Sequence, residues 1–538
     1  MLTGAHFWQD KNYTLSEKKI SEEKKILTYP ELPANLYMAL QNSASRFPNK
    51  TFLIDNYGHE TTFSEFLQKV DDFSDYLSVS CSLSRGDHAA LMLFNSLEFG
   101  VAFLALIKVG VVCVPLPTKY TQTEIHSLME KSDVRLVICD EHYFDWFSSY
   151  KESGTSIIIS TDAANGYGLA NYSAQSSSSA NTSFPEDSAD DPALLVFTSG
   201  TTSQSKGVLL RNYNIMHAIA SYKLALDFDE NEVGIIPIPM YLITGLIAVF
   251  GLFLYCGAPV YLHKFFDAKR VIADTKKNGI TFIHSSPTVF SMILSEAAAE
   301  GYPALPSLKK FACGSSNMPK EKILALHEWL PESHFHTVYG LTETTSPGTI
   351  FPTDASVSPY IGSSGVPIPG MNIRIIDEET REEILIPETI GEIWLNGTNI
   401  LASYYNLNTP LLQDGWLNTG DLGYFNKDGY LYIKDRKKDM INRGGEKITS
   451  FDIENEIYLF EGINDAAVVG IPDEVYGEVP AAVVTAKPGY TIDTEELIAY
   501  LKTRMAKYKV PVKILILDTL PETPNGKVNK KYIRTLFQ

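Results

Sequence analysis

The stretch "ALLVFTSGTTSQSKG", residues 193–207, decides how this chain is read. Its apolar start, Ala193 to Phe197, has the pattern of a buried strand. A loop of hydroxyls and glycine follows and ends on Lys206, which equips it to grip an anion. It is not the Walker pattern GxxxxGK[ST]: Ser205 stands where the second glycine belongs, and Gly207 replaces the hydroxyl that would hold magnesium.

The sequence before this loop alternates helical patterns ("LYMALQNSASRFP", "FSEFLQKVDDFSDYL", "LEFGVAFLALIKVG") with β-branched runs ("HAALMLF", "VVCVPL", "VRLVIC") over residues 36–150. That alternation predicts α/β units with mainly parallel strands. The Ser-rich segment 170–192 reads as a surface loop, with a linker between domains as the alternative. Further α/β alternation runs to about 345, and "GVPIPGMNIRIID" and "GEIWLNGTNILASYY" read as β structure with turns. Beyond about 434–438 come a helix ("SFDIENEIYLF"), a strand ("DAAVVGIP") and a helix at 494–506, enough for a small separate domain. The expectation is a large domain, 1–434, of α/β sheets plus a β subdomain, followed by a small mobile α+β domain, 435–538.

At 538 residues the chain exceeds one ordinary core, so two or more domains are required. With 45 basic and 64 acidic residues the net charge is −19, which excludes a broad nucleic-acid footprint, since that needs excess cations. The five cysteines, at 81, 113, 139, 256 and 313, are widely spaced and form no metal-ligand cluster, so reduced thiols and a cytoplasmic location are expected. The first 28 residues lack the apolar core of a signal peptide. Val233 to Leu262 contains no charged residue, but Pro237 and Pro239 break its start, so a buried helix is expected there and no membrane insertion.

Four more stretches carry chemistry. "VYGLTETT" (338–345) sets an aromatic beside a Thr-Glu pair, and Glu343 offers oxygen to a hard cation. "NTGDLGY" (418–424) puts Asp421 in a tight turn after a strand, suited to accepting hydrogen bonds from ribose hydroxyls. "KDRKKDMINRGGEKI" (434–448) is basic, with Gly444 and Gly445 allowing close backbone approach. "TPNGKVNKK" presents Lys527 after an Asn-Gly turn. Singly, each also fits a polar turn or a solvated face.

Together and in this order, they resemble the adenylate-forming superfamily of acyl-CoA synthetases, peptide-synthetase adenylation domains and luciferases, over about residues 35–535. The resemblance implies that Thr198, Ser199, Gly200, Thr201, Thr202 and Lys206 hold the β- and γ-phosphates of ATP, although Ser203 and Ser205 replace the usual Gly and Pro. It implies Tyr339 against adenine within Tyr339, Gly340 and Leu341, Thr342 on the α-phosphate, and Glu343 on Mg²⁺. Gly314, Ser315 and Ser316 of "CGSSNMP" would border adenine and the acyl group, and Asp421 with Arg436 would bind ribose. Lys527 matches the C-terminal catalytic lysine and Lys438 the hinge, with Gly444 and Gly445 facing the thiol's pantetheine arm after rotation. Glu454 has the look of a structural residue.

"PIPMYLITGL" (237–246) resembles the acyl-pocket motif, so Tyr241, Leu242, Thr244 and Gly245, with Thr288 and Ser315, are the expected substrate contacts. The pocket reads as apolar with a few hydroxyls, fitting a fatty or aryl acid. The reaction implied is acyl-AMP formation with release of pyrophosphate, then transfer to coenzyme A. Loading of a separate acyl-carrier protein is the alternative, and a monomer or homodimer is expected. A non-catalytic sensor is disfavoured because Lys527, Glu343 and Asp421 are all present.

Overall fold

The runs His88–Met92, Val112–Pro115 and Val134–Asp140 pair in parallel, as the alternation predicts, and Pro192–Thr198 extends the same sheet beside Val112–Pro115. Lys206–Arg211 then adds antiparallel, with Thr198 directly opposite Lys206. Ile157–Thr161 and Ser403–Tyr404 complete a seven-stranded sheet. The computed structural model describes residues 1–21, 24–153, 157–161, 169, 188–198, 205–407, 409–523 and 526–538. The Ser-rich segment therefore lies outside the described residues up to 187, as do Ser199, Gly200, Thr201 and Thr202.

A nine-stranded sheet lies against the first, its central strands Gly234–Ile236, Phe282–Ser285, Lys310–Cys313 and His334–Tyr339 running parallel. Helices fill the space between the two. Phe63–Val79 buries Phe66, Val70, Phe73 and Leu77, the i, i+4, i+7 stripe of an amphipathic helix. It starts on a reciprocal cap, in which Thr62 Oγ1 accepts from Glu65 N at 3.2 Å and Glu65 Oε2 from Thr62 N at 2.8 Å. Loss of that cap would cost about 1 kcal/mol. Leu97–Val109 is buried nearly all round, matching its continuous apolar sequence. Phe52, Phe63, Phe66 and Phe250 interlock where these helices meet the nine-stranded sheet. Each such fully buried ring contributes roughly 1.5–3 kcal/mol.

The uncharged run divides into a strand, Gly234–Ile236, a helical segment, Thr244–Cys256, and a second strand, Val260–Leu262. The helical segment is the buried core helix expected, its first half, Thr244–Gly251, wound in wide π-type turns. Among the described residues no helix is long and apolar enough to cross a membrane. All five cysteines are buried and free.

The predicted β segments form a third, antiparallel sheet around Asn372–Ile376, Gly391–Asn396 and Trp416–Phe425, with Leu431–Arg436 paired to the last. A turn at 437–440 leads to a separate five-stranded sheet, built on Ile463–Asp473 and Gly477–Ala486. Helices Ser450–Tyr458 and Thr494–Arg504 cover this sheet around a core of its own, including Ile453, Ile457, Val468, Val484 and Leu497. Glu454 is internal to this unit, accepting from Val468 N at 2.8 Å and pairing with Lys530 at 2.9 Å.

Candidate active site

The strand ends of the large sheets and the tip of the C-terminal unit enclose one cavity of about 910 Å³. Its lining collects polar and glycine positions far apart in sequence: Thr198 and Lys206, Gly314 and Ser315, Gly340 to Glu343, Asn418 to Asp421, Arg436, Lys438 and Lys527. Its apolar lining includes Ile238, Leu242, Ile243, Phe266, Val289 and Met292, with Tyr241, Thr244 and Thr288 adding hydroxyls. Ser316, Tyr339 and Gly245 border the cavity without lining it, and Gly444 and Gly445 lie away from it on a hairpin turn.

Local backbone chemistry explains the placement. Gly340 ends the strand His334–Tyr339 where a Cβ would sit 1.7 Å from Ser346 O, so only glycine lets the chain fold back here. Thr342 and Glu343 follow on a single tight helical turn. Ser315, Thr345 and Ser346 all adopt left-handed backbone, with φ of 73°, 54° and 92°, a conformation that costs non-glycine residues and concentrates at functional sites.

Asp421 is found inside the bent strand Trp416–Phe425 and not in a turn after it; the kink is the left-handed Gly420 before it, φ 74°. Its register partner across the ladder is Arg436, with Nε 3.5 Å from Oδ1. Tyr339 donates its hydroxyl to the other oxygen at 2.8 Å. Asp421 is thus buried, held from two sides, and presented to the cavity.

Sequence reading gave Tyr404 no role beyond β structure. Its hydroxyl donates to Glu343 Oε1 at 3.0 Å, and Lys206 Nζ stands 5.8 Å from its ring centroid. The register of Ser403–Tyr404 on Lys206–Arg211 causes this, a long-range pairing with no local signal. Lys119 and His284 also line the cavity and carry no motif.

Lys527 sits deep among protein atoms while keeping some solvent contact. Burial, then the neighbouring Arg436, push its ammonium down to about 8, against the opposing pull of Asp421 and Glu343. The site therefore holds several cations, Lys206, Arg436, Lys438 and Lys527, in the lining of one cavity that also carries apolar side chains.

A family model described as AMP-binding enzyme matches residues 40–405, and its C-terminal domain model matches 452–527. The chain belongs to the AMP-binding enzyme family. It is 30% identical to an oxalate–CoA ligase of Arabidopsis thaliana over 509 residues, 93% of this chain and 98% of that one. It is also 30% identical to a 2-succinylbenzoate–CoA ligase of Bacillus licheniformis over 494 residues, 91% and 97% of the two chains. Among solved structures, o-succinylbenzoate coenzyme A synthetase from Bacillus subtilis in complex with ATP and magnesium ion superposes with a TM-score of 0.80 at 28% identity, covering 92% and 98%.

This member of the AMP-binding enzyme family is an ATP-dependent, AMP-forming acyl-CoA ligase that uses ATP, Mg²⁺ and coenzyme A. The residues present fit magnesium. Among the described residues no cluster of three or more His, Cys, Asp or Glu side chains could cage a metal, and Glu343 shares the cavity lining with Thr198 and Lys206. One carboxylate completed by phosphate oxygens and water is how Mg²⁺ is commonly bound to nucleotides.

Proposed function

We propose that the acid activated is one with a bulky, mainly apolar acyl group, aryl or alkyl, and that the cavity residues divide the reaction as follows. The observation that carries this reading is a single cavity whose lining combines the cations Lys206, Arg436, Lys438 and Lys527 with the apolar side chains of Ile238, Leu242, Ile243, Phe266, Val289 and Met292. Acyl burial against such walls contributes roughly 25 cal/mol per Å².

In the first half-reaction the acid's carboxylate oxygen attacks the α-phosphorus of ATP, a P–O bond forms, and the bond to the β-phosphate breaks to release pyrophosphate. Lys527 steadies the negative charge shared between carboxylate and α-phosphate, with Thr342 donating to the latter. Lys206 and Thr198, closing the ends of the segment with Ser199, Gly200, Thr201 and Thr202, hold the departing phosphates. Asp421, fixed by Arg436 and Tyr339, accepts from the ribose hydroxyls. Glu343 would hold Mg²⁺, which supplies charge neutralisation of the phosphates when bound. No protein nucleophile is required, because positioning and electrostatics suffice.

The thiol must then reach the acyl carbon, where Lys527 stands. The proposal is that the unit after Arg436 turns about Lys438, withdrawing Lys527 and bringing Gly444 and Gly445 toward the thiol arm, after which sulfur attacks carbon, AMP leaves and the thiol proton is released. Pyrophosphate release across short, medium, long, aryl and amino acids, with and without coenzyme A, and with thioester read by mass spectrometry, tests the reading. Turnover confined to small or zwitterionic acids would overturn the acid class. Acyl-AMP accumulating without coenzyme A turnover would favour a separate carrier protein as acceptor.

A further inference from the structure

His284 is the last residue but one of the strand Phe282–Ser285 and lines the cavity, yet it is only 1% exposed. Neither ring nitrogen has a hydrogen-bond partner. Native proteins leave few buried polar atoms in that state. Eleven described residues carry such atoms, and His284 is the one among them that lines the cavity.

The surroundings narrow what can satisfy the ring. Tyr222 meets it edge-on at 5.8 Å but commits its hydroxyl to Ser346 Oγ at 2.8 Å, and Phe282 packs at 6.2 Å. The register partner of His284 on the adjacent strand is the apolar Ala312. Burial drives the imidazole's pKa down to about 3, so the ring stays neutral, offering one N–H and one lone pair. A second carboxylate on the acyl tail would need a cation, and the neutral ring supplies none. An uncharged hydroxyl or keto oxygen needs only what the ring has.

We infer that His284 is a specificity residue that binds an uncharged oxygen, hydroxyl or keto, carried by the acyl group of the acid. The inference rests on the ligase reading above and refines its substrate class. A hydroxyl can donate to the free lone pair or accept from the N–H, and a keto oxygen accepts only. A site built on a buried polar group discriminates strongly, because a substrate lacking the matching atom leaves that group unpaired.

The test measures kcat/KM for pyrophosphate release on matched acid pairs that differ by one oxygen: hydroxy-aryl against unsubstituted aryl acids, and oxo- or hydroxy-alkanoic against saturated ones. The full chain is compared with His284→Leu and His284→Gln. The best pair is expected to show at least ~30-fold preference for the oxygenated acid in the unaltered protein. His284→Leu should bring that ratio within about 3-fold while raising the rate on the deoxy acid, and His284→Gln, which keeps donor and acceptor, should hold it above about 10-fold. A preference that survives His284→Leu, equal use of both members, or preference for a dicarboxylic acid overturns the assignment alone. Silence on every acid of the panel would overturn the acid class and this inference together.

Discussion

Lys322 of the large domain's helix Lys320–Trp329 and Asp465 of the C-terminal strand Ile463–Asp473 form an ion pair across the contact between the two parts of the protein. The lysine side chain is 10% exposed and also donates to Ser291. Nearby, Ser295 and Asn464 meet at 3.4 Å. The pair clamps the C-terminal unit in the arrangement that puts Lys527 into the cavity. Removing one member leaves a desolvated charge, a loss of about 3–5 kcal/mol in the clamped arrangement when fully buried and less here, since Asp465 keeps some solvent contact. Lys322→Met is therefore expected to slow acid-dependent ATP–pyrophosphate exchange by about 10-fold, or ~1.4 kcal/mol. Thioester formation from supplied acyl-AMP should be unchanged or faster. Equal slowing of both steps would show that the pair does not select between arrangements.

A pH profile follows from Lys527. Its folded-state pKa of about 8 lies below the ordinary lysine value, through burial first and Arg436 second, so the ammonium is held below that pH and lost above it. The adenylation kcat/KM, which reports the free enzyme, is expected to fall as pH rises through about 8. Arg436→Gln removes the second cause and should move the fall to higher pH, beside any loss of rate. Lys527→Ala should abolish the limb and cut adenylation by ~10²–10³-fold. An unchanged limb in Lys527→Ala would assign it to another group.

Much of this arrangement could be read along the chain because its signals are local. The strand at 193–197, the helices after Asn35, Thr62 and Ser96, and the Thr-Glu turn at 342–343 are set by apolar period, caps and one close-packed glycine. What escaped is set by register over long separations. Asp421 reads as a turn residue because Gly420 precedes it, but ladder pairing on both sides of the kink, at Leu417 and Asn418 and again from Asp421 onward, keeps it within one strand. Tyr404 reaches Glu343 only because its strand lands on Val208 and Leu209, and the Lys322–Asp465 pair depends on how two independently cored units dock. No window of sequence contains those relations.

Tyr404 gives a prediction about magnesium. Its hydroxyl fixes one oxygen of Glu343 at 3.0 Å while the Glu343 backbone carbonyl accepts from Leu401 N at 2.8 Å, so the carboxylate is oriented before any cation arrives. Tyr404→Phe removes only the hydroxyl. The Mg²⁺ concentration for half-maximal pyrophosphate release is expected to rise several-fold, on the order of 10-fold, as when a partner orienting a metal ligand is lost, with the rate at saturating Mg²⁺ nearly kept. Glu343→Gln should lower the saturated rate as well, by about 10²-fold. A Tyr404→Phe protein with normal Mg²⁺ dependence would remove the tyrosine from that role.

The hinge is the sharpest test of the two-arrangement reading. Lys437 N donates to Gly420 O at 2.9 Å, and Asp439 and Met440 both donate to Arg436 O, at 2.9 and 3.1 Å, whereas Lys438 N has no protein acceptor among the described residues. Its φ is not in the left-handed region. Proline at 438 therefore deletes no backbone hydrogen bond here while locking φ near −65°. Lys438→Pro is expected to leave acyl-AMP formation within about 3-fold of normal, because the present arrangement survives. Thioester formation from supplied acyl-AMP and coenzyme A should fall by at least ~10²-fold, because the rotation proposed about residue 438 works through its backbone dihedrals and proline holds φ near −65°. Lys438→Ala separates charge from backbone: it should retain both half-reactions within about 5-fold. Equal loss of both steps in Lys438→Pro, or full thioester formation by it, would move the hinge elsewhere in the turn at 437–440.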